Sequence, residues 1–151
     1  MKKICTCFVL LLMSIFLNED ADAKNETANA NFIDYAGYSN CIKLENQNTR
    51  VVLGAHCGGR VLEYSWKGQN AIYLDSAHDG WVYHADKPTI DPSGGRFDIG
   101  PESIIPKHPE LWLGKWTAEI VDSNCARLIS AEDDATGTQL IREFRLDKLS
   151  S

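Results

Sequence analysis

After residue 23, the chain has no stretch of three helical turns in which apolar residues recur every three or four positions. An amphipathic helix requires that period, so a helical architecture is excluded for this part of the chain. Short runs of alternating or continuous apolar residues occur instead, and Gly, Asn and Asp separate them. The sequence therefore predicts an all-β fold, an antiparallel β-sandwich.

Positive charge is also scarce. The chain has 15 Lys and Arg against 21 Asp and Glu, a net charge of −6, and the basic residues form no patch. Clustered Lys and Arg provide most of the affinity for phosphate backbones. We therefore expect no nucleic-acid partner.

No apolar run reaches the length of about 20 residues that a membrane-spanning helix needs. The longest, Ile4 to Leu17, follows the basic start Met1 to Lys3 and precedes the small-residue pattern Ala21 to Ala23. These features predict a secretory signal peptide at residues 1–23 and an exported chain, periplasmic or secreted, with no membrane span after cleavage. An uncleaved anchor is the alternative, and a second Ala-x-Ala at Ala28 to Ala30 leaves the cleavage point open.

Few cysteines remain once the signal is removed. Cys5 and Cys7 lie within it, which leaves Cys41, Cys57 and Cys125. An odd count allows one disulfide and a spare thiol, or three free thiols. Three buried, unpaired cysteines are favoured, because free cysteine packs as a small hydrophobe.

The remaining chain divides into a leader, residues 24–40, and a β domain, residues 41–151. The leader ends in a predicted edge strand near Phe32 to Tyr35, and four short strands between Ile42 and Leu74 predict a meander. A long loop, Asp75 to Pro92, follows. Three more strands are predicted after Trp116, namely Thr117 to Val121, Ala126 to Ala131, and Gln139 to Leu146.

The stretch from Gly94 to Trp116 separates the two groups of strands. Pro101, Pro106 and Pro109 each remove a backbone donor and fix a dihedral angle, so we expect an ordered but irregular loop. Loops on a rigid scaffold frequently carry binding residues.

This loop concentrates side chains suited to a sugar. A guanidinium and carboxylates offer the donors and acceptors that hydroxyl groups require, and indole faces pack against C–H bonds. The predicted carbohydrate-binding residues are Arg96, Asp98, Glu102, His108, Trp112 and Trp116, with His108 also the candidate catalytic residue. In the alternative interpretation, Arg96 pairs with Asp98 or Glu102 to pin the loop, and both tryptophans lie in the core.

Other chemistries find little support. His56, His78, His84 and His108 match none of the usual zinc spacings, so the sequence predicts no metal site and no bound cofactor. A Gly-x-Ser-x-Gly elbow is absent from the sequence, which argues against a serine hydrolase.

The order of several motifs resembles the front half of a galactose mutarotase-like domain, in the aldose 1-epimerase superfamily. The motifs are Gly-Gly-Arg-Val-Leu at Gly58 to Leu62, Gly-Gly-Arg-Phe at Gly94 to Phe97, Pro106-x-His108, and Trp116 at the start of a strand. The similarity covers roughly Cys41 to Leu146 and is closer to an exported bacterial branch than to the enzymes.

The resemblance implies an antiparallel β-supersandwich that binds a sugar in an open cleft, with Arg96 and His108 contacting it. The sequence departs from the enzymes after His108, where Pro109 to Leu111 stands in place of their Gly-containing continuation. The family's second histidine and glutamate base belong to a rear half beyond this chain. We therefore expect a carbohydrate-binding domain without a complete catalytic set; the alternatives are a sugar isomerase, if the protein is longer, and a structural envelope sandwich.

Overall fold

A computed structural model describes residues 28–147 and shows an all-β protein of two antiparallel sheets. The predicted signal peptide, residues 1–23, lies outside the described residues, as do residues 24–27 and 148–151.

The larger sheet is a five-stranded meander in the order β1-β2-β3-β4-β5. Its strands are β1 (Asn29–Tyr35), β2 (Tyr38–Glu45), β3 (Thr49–Gly54), β4 (Arg60–Trp66) and β5 (Gln69–Asn70). Two of its hairpins close through two-residue turns in which both residues have positive φ, Ala36-Gly37 and Lys67-Gly68. That geometry matches the right-handed twist of the paired strands.

The smaller sheet has three strands in the order β6-β7-β8. They are β6 (Thr117–Asp122), β7 (Cys125–Ile129) and β8 (Ile141–Arg145). The long β7–β8 connection is closed by a bridge between Asp133 and Thr138.

The two sheets pack face to face and share a core. β6 contacts β1 and β2, and β7 contacts β2, so the small sheet covers the first half of the large one. The buried core between the sheets consists of Ile42, Leu44, Val51, Leu53, Ala55, Trp116, Ala126, Leu128 and Leu146. This arrangement leaves the interlayer space open toward β4 and β5.

The opposite face of the large sheet is covered by the long loop after β5. Tyr38, Cys41, Val52 and Leu62 form a second apolar cluster there, with Leu74 packed against it. The Tyr38 hydroxyl donates to the Trp81 carbonyl at 2.8 Å and so ties the loop to the sheet. A single 3₁₀ turn, Ser76–His78, interrupts the loop.

The structure differs from the expected organisation in the first hairpin and around β5. Residues 29–40, assigned above to the leader, belong to the sheet, because β1 pairs with β2 along its whole length. No strand forms at Ala71 to Leu74, and β5 consists of the two residues directly before it, Gln69–Asn70. The Asn70 side chain accepts the N–H groups of Tyr64 and Ile72, at 3.1 and 3.0 Å. In the next backbone pair, the Ala71 N–H still donates to the Tyr64 carbonyl at 2.9 Å, but the Tyr64 N–H is taken by Asn70.

Cys41, Cys57 and Cys125 are buried and unpaired, which confirms the preference for three free thiols. Within residues 28–147 no helix is long and apolar enough to cross a membrane.

Candidate functional site

The Gly94–Trp116 segment is attached to the large sheet at its start and to the interlayer core at its end. Gly95 pairs with Val61 of β4 through two backbone hydrogen bonds of 2.7 and 3.2 Å. The segment is irregular as predicted, apart from one helical turn, α1 (Pro109–Trp112). Pro109 begins that turn, where a missing N–H costs nothing.

Arg96 is held by two acidic side chains of its own segment and by one from the loop before it. Its Nη2 lies 2.6 Å from Asp98 and 2.9 Å from Glu102, and its Nη1 lies 3.6 Å from Asp91. The guanidinium also lies over the Trp112 ring, 4.1 Å from its centroid. Both ion pairs of the alternative interpretation are therefore formed.

His108 is buried, and both of its ring nitrogens face acceptors. Nδ1 lies 2.7 Å from the Pro106 carbonyl and Nε2 lies 2.8 Å from the Asp98 carboxylate. A carbonyl can only accept, so Nδ1 must carry a proton, and a second proton on Nε2 satisfies the carboxylate. The geometry therefore favours the imidazolium form, which has no free nitrogen to act as a base.

The pKa values of the pair follow from these contacts. Burial by itself lowers the pKa of His108, but the hydrogen bonds to Pro106 and Asp98 and the Asp98 charge outweigh it and raise the pKa above 6.5. Burial likewise opposes ionisation of Asp98, yet hydrogen bonds from Arg96, the Ile99 N–H and His108 bring its pKa below 3.8. Each partner therefore stabilises the charged form of the other.

The two indoles have different environments. Trp116 is 2% exposed, and its Nε1–H donates to the Leu111 carbonyl at 2.9 Å. Trp112 is half-buried beneath Arg96. Neither ring stands free on the surface.

The expectation that this loop presents a sugar cradle to solvent is therefore wrong for His108 and Trp116, which are buried. Arg96, Asp98, Glu102, His108 and Trp112 do come together, but they bind one another. The physical reason is that charged groups this close together in a partly buried loop are stabilised most by ion pairs and hydrogen bonds with one another. Arg96 alone of the six also borders the main cleft described below.

That cleft, which we call the interlayer cleft, has a volume of about 610 Å³ and lies where the two sheets diverge. One wall is the inner face of the large sheet, where β-strand alternation places Thr49, Val51, Tyr64 and Trp66 side by side. The other wall is β8 with the residues that follow it. Its lining there is Arg142, Phe144, Arg145, Leu146 and Asp147.

The aromatic residues of the cleft are accessible. Tyr64 is 50% and Trp66 47% exposed, although both lie on the face that elsewhere forms the core. The Lys67 ammonium lies 4.5 Å from the Trp66 ring centroid, a surface contact worth about 0.5–1 kcal/mol that a ligand can displace.

No family model, curated protein or solved structure matches this chain. Its site must therefore be inferred from its own geometry. Within residues 28–147, no three His, Cys, Asp or Glu side chains converge in a group that could hold a metal ion.

Sequence reasoning overlooked Tyr64, Trp66, Arg142 and Phe144 as site residues. A signal exists in each strand, because Tyr64 and Trp66, like Arg142 and Phe144, are two positions apart and so share a face. The sequence does not reveal that the small sheet ends before it covers Tyr64 and Trp66. This is why the two rings are exposed.

Proposed function

We propose that the protein is an exported carbohydrate-binding domain whose sugar lies in the interlayer cleft. The observation that supports this best is the pair of half-exposed rings, Tyr64 and Trp66, on one wall of a concave site. Contiguous exposed apolar surface on a soluble protein commonly marks an interaction site.

A sugar suits this cleft because it has two kinds of surface. The C–H faces of a pyranose pack against aromatic rings, while its hydroxyl groups need donors and acceptors at the edge. Arg96 and Arg142 supply donors at the cleft, and Thr49 supplies a hydroxyl group. The resemblance of the Gly94–Trp116 segment to mutarotase-like domains also supports a sugar ligand.

Binding accounts for the cleft better than catalysis does. Mutarotation needs one group to remove a proton and another to donate one, both within reach of the sugar. Among the described residues that line the cleft there is no histidine, and Asp147 is the single carboxylate. His108 is occupied by Asp98 and Pro106.

The direct test is calorimetric titration of the protein with neutral hexoses (glucose, galactose) and hexuronates (glucuronate, galacturonate). We expect saturable binding of at least one sugar. Replacing Trp66 with alanine should weaken it about tenfold or more, because an aromatic contact and its buried area are lost.

Phe32→Ala is the matched control. Phe32 is an equally exposed aromatic residue, at 50%, but it lies on the edge strand β1 away from the cleft. Its replacement should leave sugar affinity unchanged. The proposal fails if none of these sugars binds, or if Trp66→Ala binds them as tightly as the wild-type protein.

A further inference from the structure

Three arginines line the interlayer cleft, and two of them, Arg96 and Arg142, differ in their charge balance. Arg96 has three carboxylate partners, Asp91, Asp98 and Glu102, within 3.6 Å. Arg142 forms no ion pair with any carboxylate of residues 28–147, and its pKa is lowered by burial alone. A half-buried guanidinium without a counter-charge is unfavourable, so an anion that enters the cleft relieves that cost.

Arg142 is also held in place before any ligand arrives. Its Nη1 donates to the Gly59 carbonyl at 2.6 Å, and the guanidinium lies 4.6 Å from the Phe97 ring centroid and 4.8 Å from that of Phe144. Within residues 28–147, the bond to Gly59 is the one hydrogen bond that its side chain makes to a protein acceptor, and Arg142 lines the cleft. Because the guanidinium is already held, little side-chain entropy is left to lose when a ligand binds its other N–H groups.

Building on the proposed function, we propose that the preferred ligand is an acidic sugar whose carboxylate binds Arg142 while its ring packs on Tyr64 and Trp66. The guanidinium fork matches the two oxygens of a carboxylate. The ligand class is therefore hexuronic acids, free or at the end of a glycan.

A carboxylate suits the site better than a phosphate. The Arg142 guanidinium carries one positive charge and so balances one negative charge. A phosphate monoester carries nearly two negative charges at neutral pH. The other two arginines that line the cleft, Arg96 and Arg145, are already engaged by carboxylates of the described residues. The second negative charge of a dianion would therefore gain no additional cation among the residues that line the cleft.

The experiment compares glucuronate and galacturonate with glucose, galactose and their 6-phosphates by calorimetry at low and high salt. For the wild-type protein we expect the hexuronates to bind about tenfold to a hundredfold more tightly than the neutral hexoses. The hexuronate affinity should fall between 50 and 500 mM NaCl and the neutral hexose affinity should not, because salt screens the charged contact.

Arg142→Gln should reduce hexuronate affinity to that of the neutral hexose and leave the neutral hexose unaffected. Arg127→Gln is the matched control, since Arg127 lies on the neighbouring strand β7 but pairs with Glu119 and Glu143 away from the cleft. It should change neither affinity. If Arg142→Gln does not fold, the wild-type comparison of sugars and salt still decides the matter.

The outcomes separate the two proposals. Equal affinity for hexuronates and hexoses, or a hexuronate affinity unchanged in Arg142→Gln, overturns the acidic-sugar assignment and leaves carbohydrate binding intact. Tighter binding of the 6-phosphates than of the hexuronates also overturns it. If no sugar binds at all, the proposed function itself is wrong.

Discussion

At the scale of single residues, the His108–Asp98 pair makes the stability of the folded state depend on pH. The pKa of folded His108 lies above 6.5, so its stabilising contribution is complete below that pH and is lost as the pH rises through the folded pKa. The pKa of folded Asp98 lies below 3.8, so its contribution is complete above that pH and is lost as the pH falls through the folded value. Both contributions are therefore present together between about pH 4 and pH 6.5.

We expect His108→Gln to lower the free energy of unfolding by about 2 kcal/mol at pH 6, because a buried, charge-assisted hydrogen bond is removed. The loss should shrink as the pH rises toward 9, since wild-type His108 is then neutral as well. Urea denaturation of both proteins from pH 5 to pH 9 measures the difference. His84→Gln, at an exposed position, is the control and should match the wild-type protein throughout. A difference that is independent of pH would contradict the assignment of an imidazolium.

At the scale of secondary-structure elements, the turn between β3 and β4 fixes the position of α1. Gly58 has a φ of +62°, and a Cβ placed on it would lie 1.8 Å from the Trp112 carbonyl oxygen. Its N–H also donates to the Gly114 carbonyl at 2.8 Å. The turn can approach α1 this closely only because residue 58 has no side chain.

Gly58→Ala should therefore destabilise the protein by more than about 3 kcal/mol, since backbone must move against backbone. Gly68→Ala is the matched control, because Gly68 also has a positive φ, +79°, but nothing within 4 Å of a Cβ. Gly68→Ala should lower the free energy of unfolding by about 1 kcal/mol, because only the left-handed backbone conformation is unfavourable for alanine there. Thermal unfolding of the two variants distinguishes close packing from backbone strain, and equal costs would show that the contact with α1 is unimportant.

At the scale of the whole molecule, the small sheet covers the first half of one face of the large sheet, and the long loop covers the opposite face. All three cysteines of the described region are buried, but Cys125 lies on the outer face of the small sheet, beside Arg127 and Glu143, and not between the layers. Cys41 lies in the outer cluster, and burial raises the pKa of its thiol to about 11. Burial likewise raises the pKa of Cys57 and of Cys125.

We therefore expect all three thiols to resist alkylation by iodoacetamide at pH 8 in the folded protein and to react fully in 6 M urea, because the thiolate is the reactive form and burial suppresses it. Peptide mass spectrometry measures each site separately, so Cys5 and Cys7 do not interfere. The internal reference is the same peptide from the unfolded sample. Rapid labelling of one site in the folded protein would show that its covering layer opens.

Local pattern was sufficient for the fold class. Short apolar runs predicted a meander that begins at Ile42, alternation predicted three strands after Trp116, and the structure contains both. Strands can be predicted in this way because the two-residue period of a strand and the residue preferences of turns depend on residues close together in the sequence. The same reasoning placed a strand at Ala71 to Leu74, where none forms, because it did not reveal that the Asn70 side chain takes the Tyr64 N–H that a longer ladder would use.

The sequence by itself determined that the chain forms antiparallel strands with a proline-stiffened segment between two groups of them. Only the tertiary structure decided which polar and aromatic groups line the interlayer cleft. Trp116 is enclosed and Trp66 is open because the small sheet covers one region of the large sheet and not the other. Arg96 pairs with acids in and just before its own segment, whereas Arg142 on a distant strand forms no ion pair with a carboxylate of residues 28–147. Burial and charge pairing depend on residues far apart in the chain, so neither follows from local pattern.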